Sequence, residues 1–435
     1  MIFQERGGLV RGFRLVTGTI AVAGVAGVML AGGIPAQAAA VRPAAVSAAQ
    51  AAPAAGQARA GGLARVPAGL RPVVARLAGR PQTARVTTSG DLGLSVSISG
   101  TIAVIGAPET NSPDGAVYVY VLKSGEWSQQ AVITAPSGIE SFGTSVAVSG
   151  TTAVIGAPDA NDFDGEAYVY VQSGTKWTQQ AALPGPTGQD ELGWSVAAYE
   201  STAVIGAPFA NGSTGEAQVY VRSGTKWSQQ AVLTAAMPAA NSAFGWSVAM
   251  TGSTAVIGSP TANSEAGAAY AFVRSGTKWS QQAVLTAADA AADNEFGYSV
   301  AMSGSTAVIG SPDSNADAGS AYAFVRLGTT WSQQAEMTAS DAASENGFGE
   351  SVAISGSYAV IGSPYRNSET GAEYVFGLSG TKWLQRAELV DPAGAANDRF
   401  GLSVAMTSST ALIGAPGTSN SVGTVYVVDY TEGTL

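Results

Sequence analysis

Along most of the chain, apolar residues come in short runs broken by turn residues, and no run keeps a helical period. The stretch from residue 142 to residue 183 shows the pattern in full. Residues 142–149 hold Val146, Ala147 and Val148, and residues 152–158 hold Val154 and Ile155. After a polar loop, Tyr168, Val169, Tyr170 and Val171 make a third run, and residues 177–183, opened by Trp177, make a fourth. The breaks are Gly150-Thr151 and Ser173-Gly174-Thr175-Lys176, which are turn chemistry, so the pattern predicts four short β-strands, A to D.

The same unit recurs. The tetrapeptide I-G-[AS]-P starts at Ile105, Ile155, Ile205, Ile257, Ile309, Ile361 and Ile413, at intervals of 50, 50 and then four times 52 residues. Units of this length cannot bury their own faces and must stack or close into a ring. Four strands repeated seven times predict an all-β fold, a seven-bladed β-propeller of four-stranded antiparallel blades. The small residues of Ser145-Val146-Ala147 and its repeats suit strand A to the crowded axis. The Trp that opens strand D occurs at 127, 177, 227, 279, 331 and 383, six times rather than seven, and the last unit stops after strand C. Residues 84–88 (Ala84, Arg85, Val86, Thr87, Thr88) are therefore expected to supply the seventh strand D, closing the ring and removing its open edges.

Composition alters the picture at the N-terminus. Arg6, Arg11 and Arg14, an apolar stretch over residues 15–30 and Ala36-Gln37-Ala38 read as a secretory signal over residues 1–38. Residues 39–83, rich in Ala, Pro, Gly and Arg, read as a disordered linker; residues 84–430 form the propeller and 431–435 a tail. The expected product is secreted, with the membrane involved only if the signal stays uncleaved. Charge divides at the same place: +9 through Arg85 and −19 beyond it. An acidic domain argues against nucleic acid as a partner. The chain has no Cys and no His, which removes disulfides, Cys-His and Ser-His-Asp catalysis, and histidine-ligated zinc.

Phe-Gly stands at the start of strand A at 142, 244, 296, 348 and 400, relaxed to Leu-Gly at 92 and 192, and each is followed by Gly-Ala-Pro or Gly-Ser-Pro at the end of strand B. This pairing resembles the FG-GAP repeat of integrin alpha subunits and of bacterial extracellular proteins. The resemblance implies a propeller and an interaction role, and in its best-known form a calcium loop in the A–B hairpin. Here that hairpin is a two-residue turn such as Ser149-Gly150-Thr151, without a carboxylate except Glu200 in the third unit, so those metal residues do not carry over.

Antiparallel strands put the A–B and C–D turns on one face of the disc and the B–C and D–A loops on the other. The second face collects nineteen acids, from Glu109 to Asp398, against Arg366 and Arg399. It reads either as a solubilising surface or as a docking face for a cationic partner. Asn161 and its counterparts at 111, 211, 263, 315 and 367 suit left-handed turn geometry. Asp159, Asn161, Asp162 and Asp164 are close enough in sequence to be a candidate cation site, possessing no later bidentate acid; no cofactor is firmly implied, with Ca2+ the one open choice. Trp194, Trp246 and Tyr298 follow successive Leu-Gly or Phe-Gly pairs and would form an aromatic arc suited to a sugar or a peptide anchor. The reading is a secreted, monomeric, non-catalytic module that binds a protein or carbohydrate ligand on the acidic loop face. A carboxylate-dependent polysaccharide hydrolase or lyase, and a cell-surface adhesion or structural protein, stay open beside it.

Overall fold

The computed structural model describes residues 75–77 (backbone only), 90–110 and 113–429. The expected signal, most of the linker, Asn111 and the tail lie outside the described residues. The strands form seven four-stranded antiparallel sheets. Blade 1 is Ser95–Ser99 (A), Ile102–Ala107 (B), Ala116–Lys123 (C) and Glu126–Thr134 (D). The A strands pack against one another in sequence, and blade 7 returns to blade 1, so the sheets make a closed seven-bladed propeller with strand A at the axis. Among the described residues no helix is long and apolar enough to cross a membrane.

Ring closure corrects one expectation. The strand that completes blade 7 beside Thr424–Asp429 is Ala75–Leu77, while residues 84–88 lie outside the described residues. Ala75 pairs with Val427 and Leu77 with Val425, as Ala131 pairs with Val119 and Ile133 with Val117 in blade 1. Spacing explains the choice. From Ile133 to Phe142 the D–A connection takes nine residues, and from Leu233 to Phe244 eleven. Val86 would leave only six before Leu92, short of the nine to eleven the other blades use; Leu77 leaves fifteen.

No blade owns a private core. One cluster joins Val104, Val117 and Val119 of blade 1 to Phe142, Ile155 and Tyr168 of blade 2. Phe142, Phe244, Phe296 and Phe348 are fully buried, and each meets two rings of its own strand C; Phe142 lies 5.6 Å from Tyr168 and 6.2 Å from Tyr170. Burial of each such ring contributes roughly 2–3 kcal/mol.

The repeated motifs are the stitches between blades. The first Ser of each strand A donates its hydroxyl to the carbonyl of the next blade's Phe-Gly or Leu-Gly glycine, Ser95 to Gly143 at 2.8 Å and Ser145 to Gly193 at 2.7 Å. The seventh, Ser403 to Gly93 at 2.7 Å, closes the ring. The glycine of Gly-[AS]-Pro lies under this contact: a Cβ on Gly156 would sit 2.0 Å from the Gly193 carbonyl oxygen. Further out, Trp177 Nε1 donates to Gln130 of the preceding blade at 3.0 Å, and the Trp at 227, 279, 331 and 383 repeat the bond. Among the described residues Trp127 Nε1 is buried without a partner, and the residue that precedes Ala75 in sequence, where Gln precedes Ala131, is Val74.

Candidate functional site at the mouth of the ring

Every D–A loop ends in a residue with positive φ just before Phe-Gly or Leu-Gly, for example Glu191 at 53° and Glu295 at 54°. That turn delivers the chain to the axis, so the residue after the glycine stands at the rim of the central opening on the loop face. In blades 3, 4 and 5 this residue is Trp194, Trp246 and Tyr298. Their rings touch in order: Trp194 and Trp246 have centroids 4.7 Å apart, and Trp246 and Tyr298 5.7 Å. Phe209, the residue after the Pro of blade 3, meets Trp194 edge-on at 5.5 Å. Spacings of this kind add about 0.5–1.5 kcal/mol per pair beyond burial. All four rings remain partly exposed.

Blade 6 places Glu350 at the same rim position, and the stack ends on it. Its carboxylate is only 9% exposed and accepts the hydroxyls of Tyr298 and of Tyr365, the latter at 3.2 Å. Burial pushes the Glu350 carboxyl up to about 7, against the pull of those two donors and with a further push from Asp313. Burial, then Asp313, Glu350, Glu265 and Asp293, push Glu295 up to about 8. Burial and Asp159 push Glu191 up to about 7. Burial raises the Tyr298 hydroxyl well above its ordinary range, which keeps it a donor to Glu350. The mouth is thus a slab of aromatic rings beside carboxyl groups that burial holds toward the neutral form.

The second set of candidates does not converge. Asp164 Oδ1 accepts the backbone N–H groups of Gly188 at 2.8 Å and Gln189 at 3.1 Å, which hold its carboxyl below the usual range. Asp159 accepts the Ser141 hydroxyl, and Asn161 donates to Glu166 at 3.4 Å. Asn161, Asp162 and Phe163 have φ of 56°, 60° and 70°, so the sequence here builds a left-handed turn, repeated at Asn211, Asn263, Asn315 and Asn367. Among the described residues no group of three or more Asp or Glu is placed to hold a metal ion. Other acids of this face are pins too: Asp289 and Asp341 accept Tyr322 and Tyr374 at 3.1 Å and 2.8 Å, Arg366 pairs with Asp341 and Glu388, and Arg399 with Glu369 at 2.8 Å. Sequence reasoning had the arc but missed Glu350 as its end, although the residue stands at the same offset from Phe348-Gly349 as Tyr298 from Phe296-Gly297.

A closed ring of seven four-stranded blades defines a β-propeller, a scaffold consistent with an interaction module, whose function belongs to the sites it carries. FG-GAP repeat models match residues 83–120, 127–170, 177–221, 227–272, 279–324, 331–376 and 383–428, and the chain belongs to the FG-GAP repeat family, of the integrin alpha N-terminal type. Propellers of this family are typically non-enzymatic interaction domains. No match to the chain was found among the curated proteins.

Proposed function

We propose that the chain is a secreted, non-catalytic binding module that takes a protein or glycan partner at the mouth of its acidic loop face. The observation that carries this reading is the unbroken contact of Trp194, Trp246 and Tyr298, a partly exposed apolar slab that no blade needs for its own core. Such a slab accepts the C–H face of a sugar ring or an apolar or cationic side chain, and the carboxyl groups beside it accept hydrogen bonds from hydroxyls or ammonium groups. Secretion rests on the N-terminal Arg6/Arg11/Arg14, apolar and Ala36-Gln37-Ala38 pattern. N-terminal sequencing of the mature protein separates a released module from a cell-surface one.

A glycan and surface-protein binding screen, run with and without calcium, tests the site. A Trp194→Ala/Trp246→Ala double variant should lose the bound partner while retaining its melting temperature to within a few degrees. Undiminished binding in that variant removes the mouth from consideration. The hydrolase alternative has one observation in its favour: Glu295 and Glu350, on adjacent blades, each held toward the neutral form, the first partly by the charge of the second. Polysaccharide turnover abolished by Glu295→Gln would establish it.

A further inference from the structure

Strand C of blade 6 (Ala372–Ser379) carries a carboxylate, Glu373, at its second position, where no other blade has one. Glu373 pairs with Gly362 on strand B and Leu389 on strand D. The same register position holds Ala167, Ala217, Ala269 or Ala321 in four blades and Val117 or Val425 in the other two. There it faces the next blade: Val117 clusters with Phe142 and Ile155, Ala217 with Phe244 and Ile257, and Ala321 with Phe348 and Ile361. The blade 7 counterparts are Phe400 and Ile413. Glu373 is 0% exposed, and among the described residues neither carboxylate oxygen has a hydrogen-bond partner.

Among the described residues no counter-charge faces the group. Its cross-strand neighbours Gly362 and Leu389 are uncharged. Arg366 is engaged by Asp341 and Glu388, and the hydroxyl of Tyr426, across the seam, donates to Asp391. Burial pushes the Glu373 carboxyl well above its ordinary range. An isolated carboxylate cannot be kept in such a site; the group is held as the neutral acid.

We propose that Glu373 is a proton-operated latch in the seam between blades 6 and 7: as a neutral acid it lets the blades pack, and its ionisation opens the seam to water. Opening therefore releases one proton. Above the ordinary carboxyl range the opening equilibrium rises about tenfold for each pH unit, until the buried group itself ionises. The ring is tight in acidic surroundings and loosens at this one seam as they become alkaline.

The test is native-state hydrogen exchange on the full chain, corrected for intrinsic rates, across pH 5 to 9 in the unsubstituted protein, Glu373→Ala and Glu373→Gln. Alanine is the residue of four other blades, so Glu373→Ala retains the fold. Protection in strands B and C of blades 6 and 7 should fall about tenfold per pH unit in the unsubstituted protein relative to both variants, with the seam between blades 2 and 3 unaffected. Infrared difference spectra at neutral pH should show a protonated-carboxyl band that Glu373→Ala lacks. Parallel pH profiles in all three proteins, or absence of that band, overturn the proposal.

Discussion

Replacing Gly258 by Ala should damage the protein far more than replacing Gly252, only six residues away, and the difference measures the stitch between blades. A Cβ on Gly258 would lie 2.0 Å from the Gly297 carbonyl oxygen and 2.2 Å from Ser247 Oγ. These atoms are the two ends of one hydrogen bond, Ser247 to Gly297 at 2.8 Å. The methyl cannot be accommodated without parting blades 4 and 5 by about an ångström, which adds an overpacking cost of about 1–3 kcal/mol to about 1 kcal/mol for the bond and about 1–3 kcal/mol for a carbonyl left unpaired. The total is at least ~3 kcal/mol. Gly252, in the A–B turn, has φ of +56° and nothing within 4 Å of an added Cβ, so its replacement costs only the left-handed backbone penalty of about 1–2 kcal/mol. A body of about 340 residues unfolds with an entropy of roughly 0.7 kcal/mol/K, so the expected losses in melting temperature are about 4 °C or more for Gly258→Ala and about 2 °C for Gly252→Ala. Differential scanning calorimetry reads both. Equal losses, or a smaller one for Gly258→Ala, would refute the steric account of the motif.

Other outcomes follow from the same contacts. A chain shortened to begin at residue 78 loses the strand Ala75–Leu77 and should melt below one that begins at residue 70; equal melting temperatures would place ring closure elsewhere. Phe296→Ala removes a fully buried ring 5.5 Å from Tyr322 and 5.8 Å from Phe324 and should cost about 3–5 kcal/mol in urea unfolding. Glu191, Glu295 and Glu350 are pushed up to about 7, 8 and 7, so the folded state binds protons more tightly than the unfolded chain. Their contribution is fully present below the ordinary carboxyl range and is lost as pH rises toward 8; Glu295→Gln should flatten the fall in melting temperature between about pH 5 and 8.

What the sequence discloses depends on whether a residue's role is set locally or by its neighbour across a seam. Asn161, Asn211, Asn263, Asn315 and Asn367 were readable because left-handed geometry is a property of the residue, and their φ values lie between 52° and 56°. The blade count was readable because each Gly-[AS]-Pro glycine must meet the next blade, which forces the motif to recur. The closing strand was misplaced because Ala84-Arg85-Val86 and Ala75-Arg76-Leu77 have the same pattern, and only the length of the connection to Leu92 separates them. The acids near Asp159 suggested a cation by proximity in sequence, but Asp159 turns to the Ser141 hydroxyl and Asp164 to the backbone N–H groups of Gly188 and Gln189. The order of contact from Trp194 to Glu350 depends on the curvature of the ring, which no single unit encodes. Glu373 had a visible signal, an acid where four units have Ala, but its burial belongs to blade 7.

The bond from Ser403 to Gly93 spans 310 residues of sequence and has the geometry of the six that join consecutive blades. Seen from inside the ring, the seam between the last blade and the first is thus indistinguishable from the others. The propeller is a circle that happens to be cut at one point, and the cut is transferable: linking the ends of the propeller and reopening the chain at another exposed turn, such as Gly150-Thr151, should leave all seven stitches and the mouth they frame intact.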